Sequence, residues 1–209
     1  MVQNTPPRPR GRPRAYDRLQ ALAQARDAFW QAGFTATSMD DLSAATGMNR
    51  PSLYAAFGDK QRLYLDLLEH YTAAANQAIA AEFEQEQPLA RTLTRFYRYA
   101  LAQYLPEEGT PLGCFLIGTA VSEAAANPLV REKLLAGLSG FTRALERRLR
   151  RARDEGEIEA QADPAALADI AAAVLHSLAV RARAGDSRAA LNATIKTAVG
   201  LICGGANRA

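Results

Sequence analysis

Reactive and ligating side chains are scarce here: the 209 residues contain two cysteines, two histidines and a single tryptophan. Cys114 and Cys203 are too few for a disulfide framework and lack the paired spacing of a zinc site. His70 and His176 stand far apart in sequence. There is no glycine-rich phosphate loop, no paired-carboxylate motif and no nucleophile motif. The pattern argues against an enzyme, and it assigns no catalytic residue, no metal ligand and no cofactor. Long apolar runs are missing too. No segment approaches the roughly 18–20 apolar residues needed to cross a bilayer, and the basic N-terminal residues are not followed by the apolar stretch of about 7–15 that a secretion signal needs. Such a chain is expected in the reducing cytoplasm, with no membrane partner. Stretches alternating apolar and polar residues are lacking as well, while alanine is plentiful, so the expected fold class is all-α.

Charge is present, but unevenly. The net charge of +3 lies entirely in residues 1–60, which hold eight Arg and Lys against five Asp, while the remaining residues carry seventeen of each sign. Arg8, Arg10, Arg12 and Arg14 all precede the first acid. A neutral body with one basic end suggests that the end meets a polyanion.

Helix signals divide the chain. Residues 1–15, rich in Pro, Arg and Gly, are expected to be a flexible basic arm. From about Tyr16 to Ala32, Leu19, Leu22, Ala25 and Phe29 recur at helical spacing, and Gly33 stops the run. Ser38 can cap a second helix, with Asp40 and Asp41 at its positive end; Gly47 closes it. Arg50-Pro51-Ser52 opens a third, with Pro51 where a missing N–H costs nothing, and it ends near Phe57. Gly58-Asp59 then turns into a long helix from about Lys60 to Phe83. Five more helices are expected near 89–105, 113–126, 129–153, 164–184 and 187–202, about nine in all, forming a bundle over 61–203 with a tail at 204–209.

Two short helices joined by a tight Gly47 turn, behind a longer first helix, form a helix-turn-helix over residues 16–60. The second short helix has to enter a major groove, so its outer face needs small or polar side chains and its inner face must pack. Arg50, Ser52 and Ala56 suit the outer face; Leu53 and Phe57 suit the inner.

Residues 16–65, with Phe29-Trp30-Gln31-Ala32-Gly33-Phe34-Thr35-Ala36-Thr37-Ser38, then Leu42, Ala45, Gly47, Leu53-Tyr54 and Phe57-Gly58-Asp59-Lys60, resemble the DNA-binding domain of the TetR family of regulators. Asp154-Glu155-Gly156-Glu157-Ile158 leading into Asp163-Pro164-Ala165-Ala166-Leu167 is similar to the family's divergent regulatory domain. The resemblance implies a sequence-specific regulator, a repressor released from a palindromic double-stranded DNA operator by a small-molecule effector. It implies that Arg50 reads a guanine, the base most often gripped by Arg, that Pro51 and Ser52 meet base edges, and that Tyr54, Lys60 and Thr37 or Ser38 hold phosphates. Arg10-Gly11-Arg12-Pro13 resembles an AT-hook core, whose extended Arg side chains fit a narrow minor groove.

In the family, the last two helices pair with a twin to make a homodimer; Leu167, Ile170, Val174, Leu178, Leu191, Ile195, Val199 and Ile202 are the apolar positions available. An effector pocket between helices would draw on aromatics and a few polar groups, with Phe96, Tyr99, Phe115, Phe141 and His176 as candidates. Cys114, at an expected helix start where free amides lower a thiol pKa, is a redox candidate. Gly113-Cys114-Phe115 is similar to a step in a subset of the family, some of whose members respond to electrophiles or oxidants. A buried, inert Cys114 is the competing expectation, and an architectural DNA-binding protein without effector control is the competing function.

Overall fold

The structure is a computed structural model that describes residues 17–204. These fold into nine α-helices, with no strand among the described residues: α1 Arg18–Ala32, α2 Met39–Thr46, α3 Arg50–Phe57, α4 Lys60–Phe83, α5 Leu89–Tyr104, α6 Phe115–Glu123, α7 Pro128–Asp154, α8 Pro164–Arg183 and α9 Arg188–Cys203. The arm, with Arg10 and Arg12, and nearly all of the tail lie outside the described residues.

Local chemistry explains most of the boundaries. Asp17, Ser38, Asn49, Asp59, Asn127, Asp163 and Ser187 each accept a backbone N–H from the first turn of the helix that follows, satisfying donors that have no partner inside the helix. Ser38 and Asp41 form a reciprocal capping box. Pro88 cannot do this for α5. There Glu157 reaches across the chain to accept the Leu89 N–H, while its other oxygen takes a hydrogen bond from the fully buried Arg148 at 2.7 Å.

Some boundaries differ from the sequence expectations. α1 starts at Arg18, because Asp17 is its cap. Leu19 is an exposed residue of the first turn, so the buried face begins at Ala21 and Leu22. α6 starts at Phe115 rather than Gly113 because Gly113 has φ +67°, which no helix accommodates. α8 also overturns the expectation that no segment approaches a membrane span: its mean hydropathy over 18 residues is 1.5, long and apolar enough by composition. Its inner face, Ala168, Ala171, Ala172, Leu175, Leu178, Ala179 and Ala182, is buried within the bundle, which accounts for much of that hydropathy.

Helices α1–α3 form a head around Phe29, Leu42, Leu53 and Phe57, all buried. α4 runs on from the head into the body without a break: its Tyr64 ring lies 5.2 Å from Phe29 in the head and 6.1 Å from Phe115 in the body. The body packs α7 against α4, α6 and α8, with α5 and α9 side by side.

Candidate nucleic-acid interface and interior cavity

On α3, Leu53 and Phe57 face inward, whereas Arg50, Pro51 and Tyr54 are exposed and Ser52 and Ala56 are half-buried. Arg50 is not free. Its guanidinium makes a two-pronged ion pair with Asp40 in the first turn of α2, Nε to Oδ1 and Nη2 to Oδ2, and the acid holds the Arg50 pKa above its ordinary value.

The expected phosphate contacts divide. Tyr54 stands half-exposed at the surface. Ser38 is exposed, but its hydroxyl is engaged with Asp41, donating to Oδ2 at 2.6 Å and accepting the Asp41 N–H. Thr37 is corrected: it is 1% exposed and its hydroxyl donates to the Gly33 carbonyl at 2.7 Å, so it presents nothing outward. Lys60 is corrected as well. Its ammonium donates to the Phe34 and Thr37 carbonyls at 3.0 and 2.9 Å and sits 4.3 Å from the Phe34 ring centroid, so it pins the α1–α2 turn. A lone lysine after a Gly-Asp turn gives no sequence signal of that role. Sequence places Asp40 only at the positive end of α2 and gives no sign of its pairing with Arg50, nor of Asn49 as the cap that sets where α3 starts.

A cavity of about 600 Å³ opens between α1, α4 and α5, floored by residues of α7 and α8. Phe96, Tyr99 and Phe141 line it. Phe115 does not; it is fully buried and braces the wall, its ring 5.7 Å from Trp30 and 5.5 Å from Tyr71. His176 also lies off the lining, with its Nε2 buried and unpaired among the described residues and its pKa lowered by that burial. Tyr104 lines the cavity too, and so do Trp30 and Tyr71, which carry no sequence signal of it. Trp30 follows Phe29 on a helix assigned to the head, and nothing local says that it faces another domain.

Cys114 is not part of the lining; it is 2% exposed and accepts a hydrogen bond from the hydroxyl of Tyr71, which does line the cavity, at 3.4 Å. The expected lowering of its pKa is overturned. Burial pushes the thiol up, outweighing the Tyr71 and Tyr104 hydroxyls and the Leu116 and Ile117 amides that favour the thiolate. Burial also pushes Cys203 up, to about 11.

Hydrogen bonds tie head to body at several places. The Trp30 indole N–H donates to the Leu112 carbonyl at 3.1 Å, and Arg183 Nη1 from α8 donates to that same carbonyl at 3.0 Å and to the Trp30 carbonyl at 3.2 Å. Beside it, a Cβ on Gly113 would stand 2.5 Å from the Ala179 carbonyl oxygen. Buried Tyr64 donates to Thr119 at 2.7 Å as a second tie.

The apolar positions of α8 and α9 separate into two sets. Leu178, Leu191, Ile195, Val199 and Ile202 fill the core. Ile170 and Leu201 are more than half exposed and line one outward groove with half-buried Val174, while Val180, also more than half exposed, lines a separate hollow beside Val121.

Comparison with known proteins follows the same division. Residues 21–67 match the family model described as bacterial regulatory proteins, tetR family, and residues 88–198 match that of the tetracyclin repressor-like C-terminal domain. The chain is similar to the HTH-type transcriptional repressor ComR of Escherichia coli K12, 31% identical over 85% of each chain. It is also similar to the repressor BdcR of the same organism, 32% identical over 56% of this chain and 59% of BdcR. Among solved structures, a cysteine-substituted form of the TetR family regulator CifR complexed with 26-bp double-stranded operator DNA superposes with a TM-score of 0.80. It is 32% identical, covering 90% of this chain and 98% of that one.

Proposed function

Because the chain belongs to the TetR family of bacterial regulators, we propose that it is a homodimeric transcriptional repressor that grips a near-palindromic operator through residues 16–60 and senses a small molecule through 61–203. The observation that carries this is the two-faced α3: Leu53 and Phe57 fix it to the head while Arg50 and Tyr54 stand free of the core at the outer surface. A helix held that way can lay its outer face in a major groove, with Arg50 toward a base and Tyr54 toward a phosphate. Pro51 and Ser52 follow Arg50 along the same edge, and the exposed first turn of α2 with Ser38 lies beside it. The 32% identity to a regulator solved on operator DNA supports this reading.

The outward groove of Ile170, Val174 and Leu201 is where a second copy covers α8 and α9, and two-fold symmetry then sets two heads about 34–36 Å apart, one turn of the duplex. The cavity takes the effector. With Trp30 in both its wall and the head, an occupant that prefers a different head position weakens the operator complex by its difference in affinity for the two positions. The protein acts in the cytoplasm, without catalysis, and Arg10 and Arg12 reach the minor groove beside the site.

Selecting duplexes from a random pool with the purified full-length protein tests this. Recovery of a two-fold symmetric motif bound by two chains is the expected result. Recovery of no motif, with weak uniform binding, assigns the protein to architectural DNA binding and ends the repressor reading.

A further inference from the structure

The ion pair on the DNA-facing surface suggests more than a resting place for Arg50, and we propose that Asp40 is the positioning residue that gives Arg50 its base preference. The inference rests on the operator-binding role argued above. A guanidinium has two hydrogen-bonding edges. The side edge is Nε–H with one Nη–H; the end edge is the pair of Nη–H groups pointing away from the chain. Asp40 occupies the side edge, with Oδ1 on Nε and Oδ2 on Nη2. The end edge has no partner among the described residues, and its two parallel donors remain available to meet O6 and N7 of guanine.

Asp40 can hold that pose because its own backbone is fixed. It sits in the first turn of α2, which is locked by the Ser38–Asp41 capping box at one end and by left-handed Gly47 at the other. Asp41 takes up the capping role, so Asp40 is free for Arg50. Both side chains are more than half exposed, 54% for Arg50 and 70% for Asp40. The pair therefore lies where a docked duplex would cover it, and covering strengthens a charged pair by excluding water. A carboxylate on this surface also repels phosphates, so it disfavours DNA in general and is offset only where the arginine it holds finds its base.

The test uses the full-length protein, its selected operator duplex, and a duplex altered at the one base pair per half-site that Arg50 reads. Wild type should discriminate between these by roughly 5- to 150-fold, the range of one good bidentate contact. Asp40→Asn should cut that ratio at least several-fold while binding to random-sequence duplex stays level or rises. Asp40→Glu should restore part of the ratio. In the Arg50→Ala background, Asp40→Asn should change the ratio no further. Full discrimination by Asp40→Asn overturns the proposal. So does a uniform loss of affinity for every duplex with a lowered melting temperature, because that is what a merely structural residue would give. If Arg50→Ala itself leaves discrimination intact, the base-reading role of Arg50 falls, and the role of Asp40 falls with it.

Discussion

Replacing Gly113 with alanine should damage the seam between head and body far more than the same change at a comparable glycine. Gly113 and Gly156 both have positive φ, +67° and +75°, so alanine at either place meets the left-handed penalty of roughly 1–2 kcal/mol. Their surroundings differ. A Cβ at Gly156 meets nothing within 4 Å, whereas at Gly113 it would lie 2.5 Å from the Ala179 carbonyl oxygen and 3.2 Å from the Arg183 Cβ. The nearer atom is helix backbone and cannot swing aside, so α6 has to lift off α8, at the roughly 1–3 kcal/mol typical of overpacking. Gly156→Ala should then cost about 1.5 kcal/mol and Gly113→Ala about 3.5 kcal/mol. At about 2–4 °C per kcal/mol for a chain of this size, melting temperatures should fall by roughly 3–6 and 7–14 °C. Circular dichroism melts at one fixed protein concentration measure this, since dimerisation makes the midpoint concentration-dependent. Equal falls for the two variants would refute the reasoning.

Burial raises the pKa of four phenols, Tyr64 to about 12 and Tyr71, Tyr97 and Tyr104 as well. The folded protein thus holds these protons more tightly than the unfolded chain, whose phenols titrate near about 10. Their contribution is complete below that pH and is lost as pH rises above it, so the melting temperature should drop steeply there; a flat profile would contradict the burial. Arg183→Met removes two of the three hydrogen bonds at the Trp30–Leu112 tie. Because Trp30 is the single tryptophan, acrylamide quenching of its emission should increase, and unchanged quenching would deny Arg183 that role. At neutral pH, maleimide should label Cys114 and Cys203 slowly until the protein is unfolded, since burial holds both thiols protonated. Fast labelling of native Cys114 would show that it is not held as described.

Sequence made the helices legible wherever a cap and a breaker bracket a periodic run. Ser38 with Gly47, and Pro51 with Gly58, are short-range signals that act within one turn of the backbone. The packing of α3 was legible for the same reason, since Leu53 and Phe57 lie one turn apart. What failed depends on contacts between residues far apart in the chain. Lys60 carries the same charge whether it meets a phosphate or, as here, the carbonyls of Phe34 and Thr37. Cys114 stands at a helix start, which favours the thiolate, yet the depth of its burial decides the sign. Trp30 joins the cavity only because α1 lies across it, and α8 hides its hydropathy behind alanines that look neutral one at a time.

The position of Trp30 limits how this molecule can be altered. One indole forms part of the cavity wall and also holds the Leu112 carbonyl that Arg183 shares. Any attempt to retool the cavity for a different guest should therefore leave Trp30 alone and vary Tyr99, Phe96 and Phe141, which belong to the body alone. Diversification at Trp30 would yield variants whose altered response could not be told apart from a head that no longer sits squarely on its support.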